Sequence, residues 1–242
     1  MVEHPPCKRK VVSSILTGGS RVSTKSSNQV LKPEQYLVDN PFMLQINQIR
    51  EIDRERLYQI CLLTGDSGSD ATGIHDNPEM LGDVYAGPYL EHSPESCFAL
   101  RDDFGLCVGY GLSVLDTRNF ESQCREKWWP HIQAKYEHLR NSQEQCWLIR
   151  EIFNPTPAPK QVLKQYPSHA HIDLLPDFQG QGFGRKLMQT MEGHLRDLGS
   201  TGIHLRVSPS NVRAINFYKA LGYSIIDEES TIVIVGKQLN AN

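Results

Sequence analysis

Between Asn40 and the end of the chain the spacing of apolar positions changes several times, and each change predicts an element. In "PFMLQINQIR" apolar and polar residues alternate as on a half-buried strand. "DRERLYQICLLTG" instead sets Leu57, Ile60, Cys61 and Leu63 on one helical face, with Gly65 as its stop. From Asp66 to Leu90, Gly, Asp and Pro recur throughout, which predicts a loop-rich segment with room for one short helix. "SCFAL" and "LCVGYGLSVL" flank "RDDFG" as two strands flank a hairpin turn. Phe120, Cys124, Trp128, Ile132, Tyr136 and Leu139 recur every three or four positions and predict a helix, which Pro130 either kinks or restarts. "NPTPAPKQVLKQYP" reads as an extended connector, because proline restricts its own backbone and that of the residue before it.

The last quarter is more regular. "AHIDLLP" predicts a strand ending at Pro176, and "GQGFGRKLMQTMEGHLRDLG" a helix with Leu187, Met191, Leu195 and Leu198 on one face. "GIHLRVS" is a further strand, and "NVRAINFYKALG" a helix closed by Gly222. "YSIID" and "TIVIVGKQL" supply two final strands. Strand, helix, strand, helix in succession implies parallel neighbours joined by helical crossovers, so the fold class is α/β (α+β) with about six or seven strands.

Composition limits what this pattern can build. A chain of 242 residues with 39% hydrophobic content suffices for one sizeable core. The expected organisation is a disordered basic tail over 1–39 and a single domain over 40–242, with a helical insertion at about 118–165. Residues 1–33 sum to +5 while the whole chain carries −3, so the body is acidic and nucleic acid is not expected as a partner. No stretch approaches the roughly 18 apolar residues of a membrane span, and "MVEHPPCKRK" lacks the apolar segment of a secretory signal, so a cytoplasmic protein is expected. "KRK" leaves a nuclear location open. Cys7, Cys61, Cys97, Cys107, Cys124 and Cys146 lie far apart, which predicts reduced thiols and no metal site. Trp128 and Trp129 are expected to serve packing.

Candidate chemistry concentrates at "HIDLLPDFQGQGFGRKLMQTMEGHLRDLG". Glycines at 180, 182 and 184 let backbone N–H groups face a ligand without Cβ interference, at the N-terminus of a predicted helix where the dipole is positive. This combination suits an anion such as phosphate, and Arg185 and Lys186 add charge beside it. A nucleotide P-loop requires Ser or Thr after its Gly-Lys pair, and the dinucleotide fingerprint requires GxGxxG after the first strand of its unit; neither pattern is present. A tight strand-to-helix junction also uses glycine, so this run alone leaves two readings open.

The second block resolves them. "QGQGFG" (Gln179–Gly184) matches the Q/R-x-x-G-x-G/A signature of the GNAT acyltransferases, and "NVRAINFYKALGY" resembles their later block, with Asn211, Ala214, Tyr218, Gly222 and Tyr223 in register. "YQICLLTGDSGSDAT", "GPYL" and "YPSHAHIDLLPDFQGQGFG" further resemble the acetyltransferase-like module of O-GlcNAcase and its stand-alone bacterial relatives. The resemblance implies a mixed twisted sheet whose fourth and fifth strands splay, with acetyl-CoA in the opening and its diphosphate on the glycine turn. It implies an N-acetyltransferase in which an amine acceptor, small molecule or protein, attacks the thioester directly. Coenzyme A binding without catalysis is the alternative reading, and a homodimer is left open. Coenzyme contacts are expected from Leu174 or Leu175, Gln179, Gly180, Gln181, Gly182, Phe183, Gly184, Arg185, Lys186, Asn211, Ala214 and Phe217. Tyr218 stands at the family's proton-donor position, and a tyrosine with pKa near 10 is a neutral donor at physiological pH. His169, His171 and Asp173 alternate along the preceding strand; His171 and Asp173 are the candidates for the base, where other members place a glutamate. Asn211 equally suits a helix N-cap. The "TGDSGSDAT" loop, with Asp66 and Asp70, would face the acceptor side.

Overall fold

Seven strands pair in the order β1-β2-β3-β4-β5-β7-β6 in the computed structural model, which describes residues 44–75, 77–140 and 147–239. They are β1 (Gln45–Gln48), β2 (Cys97–Arg101), β3 (Cys107–Val114), β4 (Ser168–Leu174), β5 (Gly202–Val207), β6 (Ser224–Glu228) and β7 (Val233–Gln238). Every pairing is antiparallel except β4 with β5. The α-helices are α1 (Arg54–Thr64), α2 (Met80–Tyr85), α3 (Gly87–His92), α4 (Thr117–Gln123), α5 (Trp129–Tyr136), α6 (Trp147–Phe153), α7 (Lys160–Leu163), α8 (Phe183–Asp197) and α9 (Val212–Ala220). The tail expected over 1–39, with "KRK" and Cys7, lies outside the described residues, as does Cys146. Cys61, Cys97, Cys107 and Cys124 are free and buried. No helix among the described residues is long and apolar enough to cross a membrane.

Local chemistry accounts for the central hairpin. Gly105 adopts a left-handed φ of 77°, and the Asp102 side chain accepts from the N–H groups of Phe104 and Leu106, closing the turn between β2 and β3. All eight positions of β3 are buried, because both faces of the sheet are covered. Tyr110, Leu112 and Val114 face a core built with α1 to α6. Gly111 faces α8, where an added Cβ would stand 2.8 Å from Met191. Its β4 partner is Ile172, so Ala170, Ile172 and Leu174 share the α8 face, while His169, His171 and Asp173 lie on the other.

Several elements differ from the sequence expectation, each for a local reason. The 66–90 stretch holds α2 and the start of α3, two helices where one was expected, because Pro88 opens α3 at its first turn, where a missing N–H costs nothing. The helix expected over 120–139 is segmented into α4, a π-helical stretch at Cys124–Trp128, α5 and a 3-10 turn at Glu137–Leu139. Steps of four residues drift around an ideal 3.6-residue helix, and Pro130 cannot donate backward. Widening one turn, so that the Trp129 N–H reaches Cys124 O, returns Phe120, Cys124, Trp128, Ile132 and Tyr136 to the buried side. The connector has no proline between Pro159 and Pro167, which leaves Lys160–Leu163 free to coil as α7. α6 falls inside the helical insertion expected at about 118–165, although no apolar spacing marked it as a separate helix. Leu198, assigned to the buried face of α8, is 47% exposed; Met188 takes its place beside Leu187, Met191 and Leu195.

Three buried polar clusters tie these layers together. Asp83 on α2 accepts from the Tyr58 and Tyr136 hydroxyls at 2.9 and 2.6 Å and from Lys135 at 2.7 Å. Glu192 on α8 accepts from Tyr223 and Lys237 at 2.8 and 2.7 Å. Arg101 grips Asp53 through both carboxylate oxygens at 2.9 and 2.5 Å.

Candidate active site

The sheet opens at its only parallel junction among the described residues. β4 and β5 pair at Ser168↔Ile203 and His169↔His204 and then diverge, while β4 stays registered with β3 out to Leu174 and β5 with β7 along its whole length. Each strand is thus held by its outer neighbour, and a wedge remains between them. The Leu175 N–H donates to Val108 O at 3.0 Å, which commits that amide to β3. Antiparallel alternation then turns the amides of Ala170, Ile172 and Leu174 toward the wedge. Of the two amides expected to meet a thioester carbonyl, Leu174 therefore has the required direction and Leu175 does not.

Beyond the wedge the chain makes a 3-10 turn at Pro176–Phe178 and swings into α8 through Gly180 (φ 73°) and Gly182 (φ 85°). Both glycines are exposed with open space where a Cβ would stand, so backbone conformation and access select glycine here, not crowding. Gly184 differs: a Cβ would lie 3.2 Å from the Phe217 ring, so glycine lets α9 approach α8. Gly182 caps the helix, and the Lys186 N–H bonds back to Gly182 O, which leaves the amides of Phe183, Gly184 and Arg185 ahead of the helical ladder. Arg185 is exposed and reaches Ala220 O at 3.4 Å; Lys186 is exposed with its Nζ 5.6 Å from the Phe183 ring centroid. Gln179 donates to Leu174 O at 2.6 Å and accepts from Arg213, bridging the two sides of the wedge. Gln181 donates to Asp177 O at 2.6 Å and braces the turn. Asn211 caps α9 by accepting from the Ala214 N–H at 3.0 Å, the structural one of its two expected uses. Sequence reasoning did not single out Arg213; its signal was a third cation beside the two motifs.

Tyr218 sits on α9 with 7% exposure, between Phe217 and Tyr223. Burial, with the Asp173 charge nearby, raises its hydroxyl pKa above the usual tyrosine range, so it stays protonated. Asp173 accepts from the Tyr110 hydroxyl at 2.6 Å and contacts His171 Nε2 at 3.0 Å, and Tyr85 stacks on the His171 ring at 5.4 Å. His171 and Asp173 therefore form a dyad with partial solvent access. His169 has a different fate. Its Nδ1 meets the Thr117 hydroxyl at 2.8 Å, and burial, with the charges of His204, Arg206 and His171, holds it neutral.

On the face opposite α8, a cavity of about 190 Å³ opens into the wedge, where Ala170, His171, Leu205 and Arg206 line it. Its other walls include Tyr85, Tyr89, Phe120, Trp129, Glu121 and Glu151. Asp66 and Asp70, expected here, are exposed and held in their own turn, Asp66 by a bridge to Ser69 and Asp70 by Thr72. Glu121 hides in the sequence beside an apolar stripe, and Glu151 belongs to α6, which no spacing marked as a separate helix. Among the described residues no cluster of His, Cys, Asp and Glu could hold a metal ion.

Comparison with known proteins agrees with this geometry. The acetyltransferase (GNAT) family model matches residues 71–223. Protein O-GlcNAcase of Rattus norvegicus is 28% identical over 195 residues, 77% of this chain, and the match spans 21% of that relative's length. Mycothiol acetyltransferase of Propionibacterium freudenreichii subsp. shermanii is 37% identical over 54 residues, 22% of this chain and 17% of that protein. The crystal structure of SsHAT superposes with a TM-score of 0.75 at 32% identity, covering 82% of this chain and 99% of SsHAT. The seven-stranded mixed sheet with its parallel β4–β5 junction matches the fold of SsHAT. The chain belongs to the acetyltransferase (GNAT) family.

Proposed function

We propose that the protein transfers the acetyl group of acetyl-CoA to a primary amine by direct attack. The observation that carries this reading is the continuity of three features: the wedge between β4 and β5, the exposed glycine turn at its α8 side, and the cavity entering it from the opposite face. Acetyl-CoA supplies an acyl group activated as a thioester. The amides of Phe183, Gly184 and Arg185, with the helix dipole and the charges of Arg185 and Lys186, hold the diphosphate. Gly180 and Gly182 keep that approach clear; Gln179 and Gln181 fix the loop, and Phe217, Ala214 and Asn211 border the coenzyme arm. The Leu174 N–H polarises the thioester carbonyl and stabilises the charge that develops on its oxygen.

Protons must then be moved. An alkylamine with pKa near 10.4 is neutral about once in 2,500 at pH 7, a cost of roughly 4–5 kcal/mol. His171, oriented by Asp173, removes the ammonium proton; the amine nitrogen bonds to the carbonyl carbon as the carbon–sulfur bond breaks. Tyr218 protonates the departing sulfur and is reprotonated by the second proton that the nitrogen gives up. Tyr218→Phe is expected to slow thiol release with an amine acceptor by about a hundredfold while leaving acetyl-CoA affinity unchanged. Unchanged turnover in that variant defeats the donor assignment.

A further inference from the structure

The cavity on the face away from α8 is not needed to hold a coenzyme on the α8 side, and its lining has its own chemistry. Tyr85 lies parallel to His171 with an interplanar angle of 16°; Tyr89 and Phe120 meet at 4.9 Å between centroids, and each meets His169 edge-on, at 5.4 and 5.2 Å. These rings form an aromatic pocket that ends at the strand fork. Two carboxylates enter the same space. Glu121 accepts from the Ala158 N–H at 2.7 Å, and Glu151 accepts from the N–H and hydroxyl of Thr156 at 3.1 and 3.3 Å. Among the described residues neither is in an ion pair. Arg125 and Arg206 also line the cavity, and Arg206 donates to Thr156 O at 2.8 Å. The contacts of Glu121 and Glu151 hold the proline-rich connector against the pocket and leave carboxylate lone pairs for a further donor. Burial raises the Glu121 pKa and outweighs the Ala158 N–H and the charges of Arg206 and Arg125, which lower it.

Resting on the acetyl-transfer reading, we propose that this cavity is the acceptor pocket and that it selects compact primary amines with a flat apolar body, arylalkylamines, the ammonium received by Glu151 beside His171 and the body held among Tyr85, Tyr89 and Phe120. Volume and charge both favour this class. About 190 Å³ of free space at the strand fork suits a compact ligand body. Aromatic faces attract a cation that carries apolar surface, and Glu121 and Glu151 offset the charges of Arg125 and Arg206 along the same lining, so an ammonium meets a carboxylate without net repulsion.

Calorimetric titration of phenethylamine into the full chain, with and without acetyl-CoA, tests the pocket separately from the reaction. Binding of phenethylamine but not of 3-phenylpropionate is expected. Glu151→Gln, which keeps one acceptor oxygen for the Thr156 N–H, is expected to weaken amine binding on the order of tenfold with acetyl-CoA affinity unchanged. Equal binding of 3-phenylpropionate, or faster acetylation of a lysine-containing peptide than of phenethylamine, overturns the proposal. Loss of acetyl-CoA binding in the unmodified chain would instead defeat the transfer reading, and amine titration without coenzyme would still decide the pocket.

Discussion

Single residues show how opposed forces set both stability and chemistry. Burial raises the Asp53 pKa, but hydrogen bonds from Arg101 and Arg50 outweigh it and hold the group at about 2, below its ordinary 3.8. Because the folded value is depressed, the stabilisation is complete above about pH 4 and is lost as pH falls through 2. It amounts to about 2–3 kcal/mol. Urea unfolding of the wild type should therefore weaken between pH 4.5 and 2.5 by more than that of Asp53→Asn; identical slopes would contradict the assignment. Two glycines of one region should respond oppositely. Gly182→Ala places a side chain at φ 85° and should cost about 1–2 kcal/mol, whereas Gly193→Ala, inside α8 with nothing within 4 Å of the added atom, should gain up to about 1 kcal/mol. Thermal melts of the two variants read the contrast directly. The strand-to-helix turn at Gly180 and Gly182 was legible in the sequence, but the run alone left two readings open, and the left-handed φ values come from the structure. The partners of Asp173 were not: Tyr110 stands 63 positions away, and only the β3–β4 register brings its hydroxyl to that carboxylate.

At the scale of elements, packing revises what periodicity predicts. α1, α2 and α5 converge on Asp83, whose carboxylate takes two tyrosine hydroxyls and one ammonium. Asp83→Ala strands these donors and should cost about 3 kcal/mol in chemical denaturation; a loss below 1 kcal/mol would show that the cluster does not bind the helices together. The strands and the helices α1, α8 and α9 were readable because their apolar spacing is uninterrupted and their ends carry glycine or proline. The 117–139 helix was readable in its buried face but not in its form, since a proline and a repeated step of four are satisfied by a π-helical turn that no spacing rule announces. α2, α3 and α7 were obscured by the glycines and prolines around them, residues that start short helices as readily as they end long ones. The acceptor side suffered most, because Glu121 and Glu151 come from separate helices and meet only through the connector they clamp.

Across the whole molecule, one topological fact organises function. Two central strands are each tied to an outer neighbour and are therefore free to part from one another after His169 and His204. The glycine turn and α8 take one side of that wedge, the aromatic cavity takes the other, and Tyr218 and the His171–Asp173 dyad stand near the line between them. The divergence of these strands came from family resemblance, since strand patterns alone do not say where pairing stops. The SsHAT match extends over nearly the full length of that chain, whereas O-GlcNAcase is matched over about a fifth of its length.

Thermal unfolding of the purified chain with acetyl-CoA tests the wedge as a coenzyme site most directly. At a hundred times the dissociation constant, acetyl-CoA should stabilise the native state by about 2.7 kcal/mol. For a domain of this size the midpoint should rise by about 5–10 °C, and Gly182→Ala should reduce the rise. An unchanged midpoint at millimolar acetyl-CoA, with no heat of binding by calorimetry, would contradict the account.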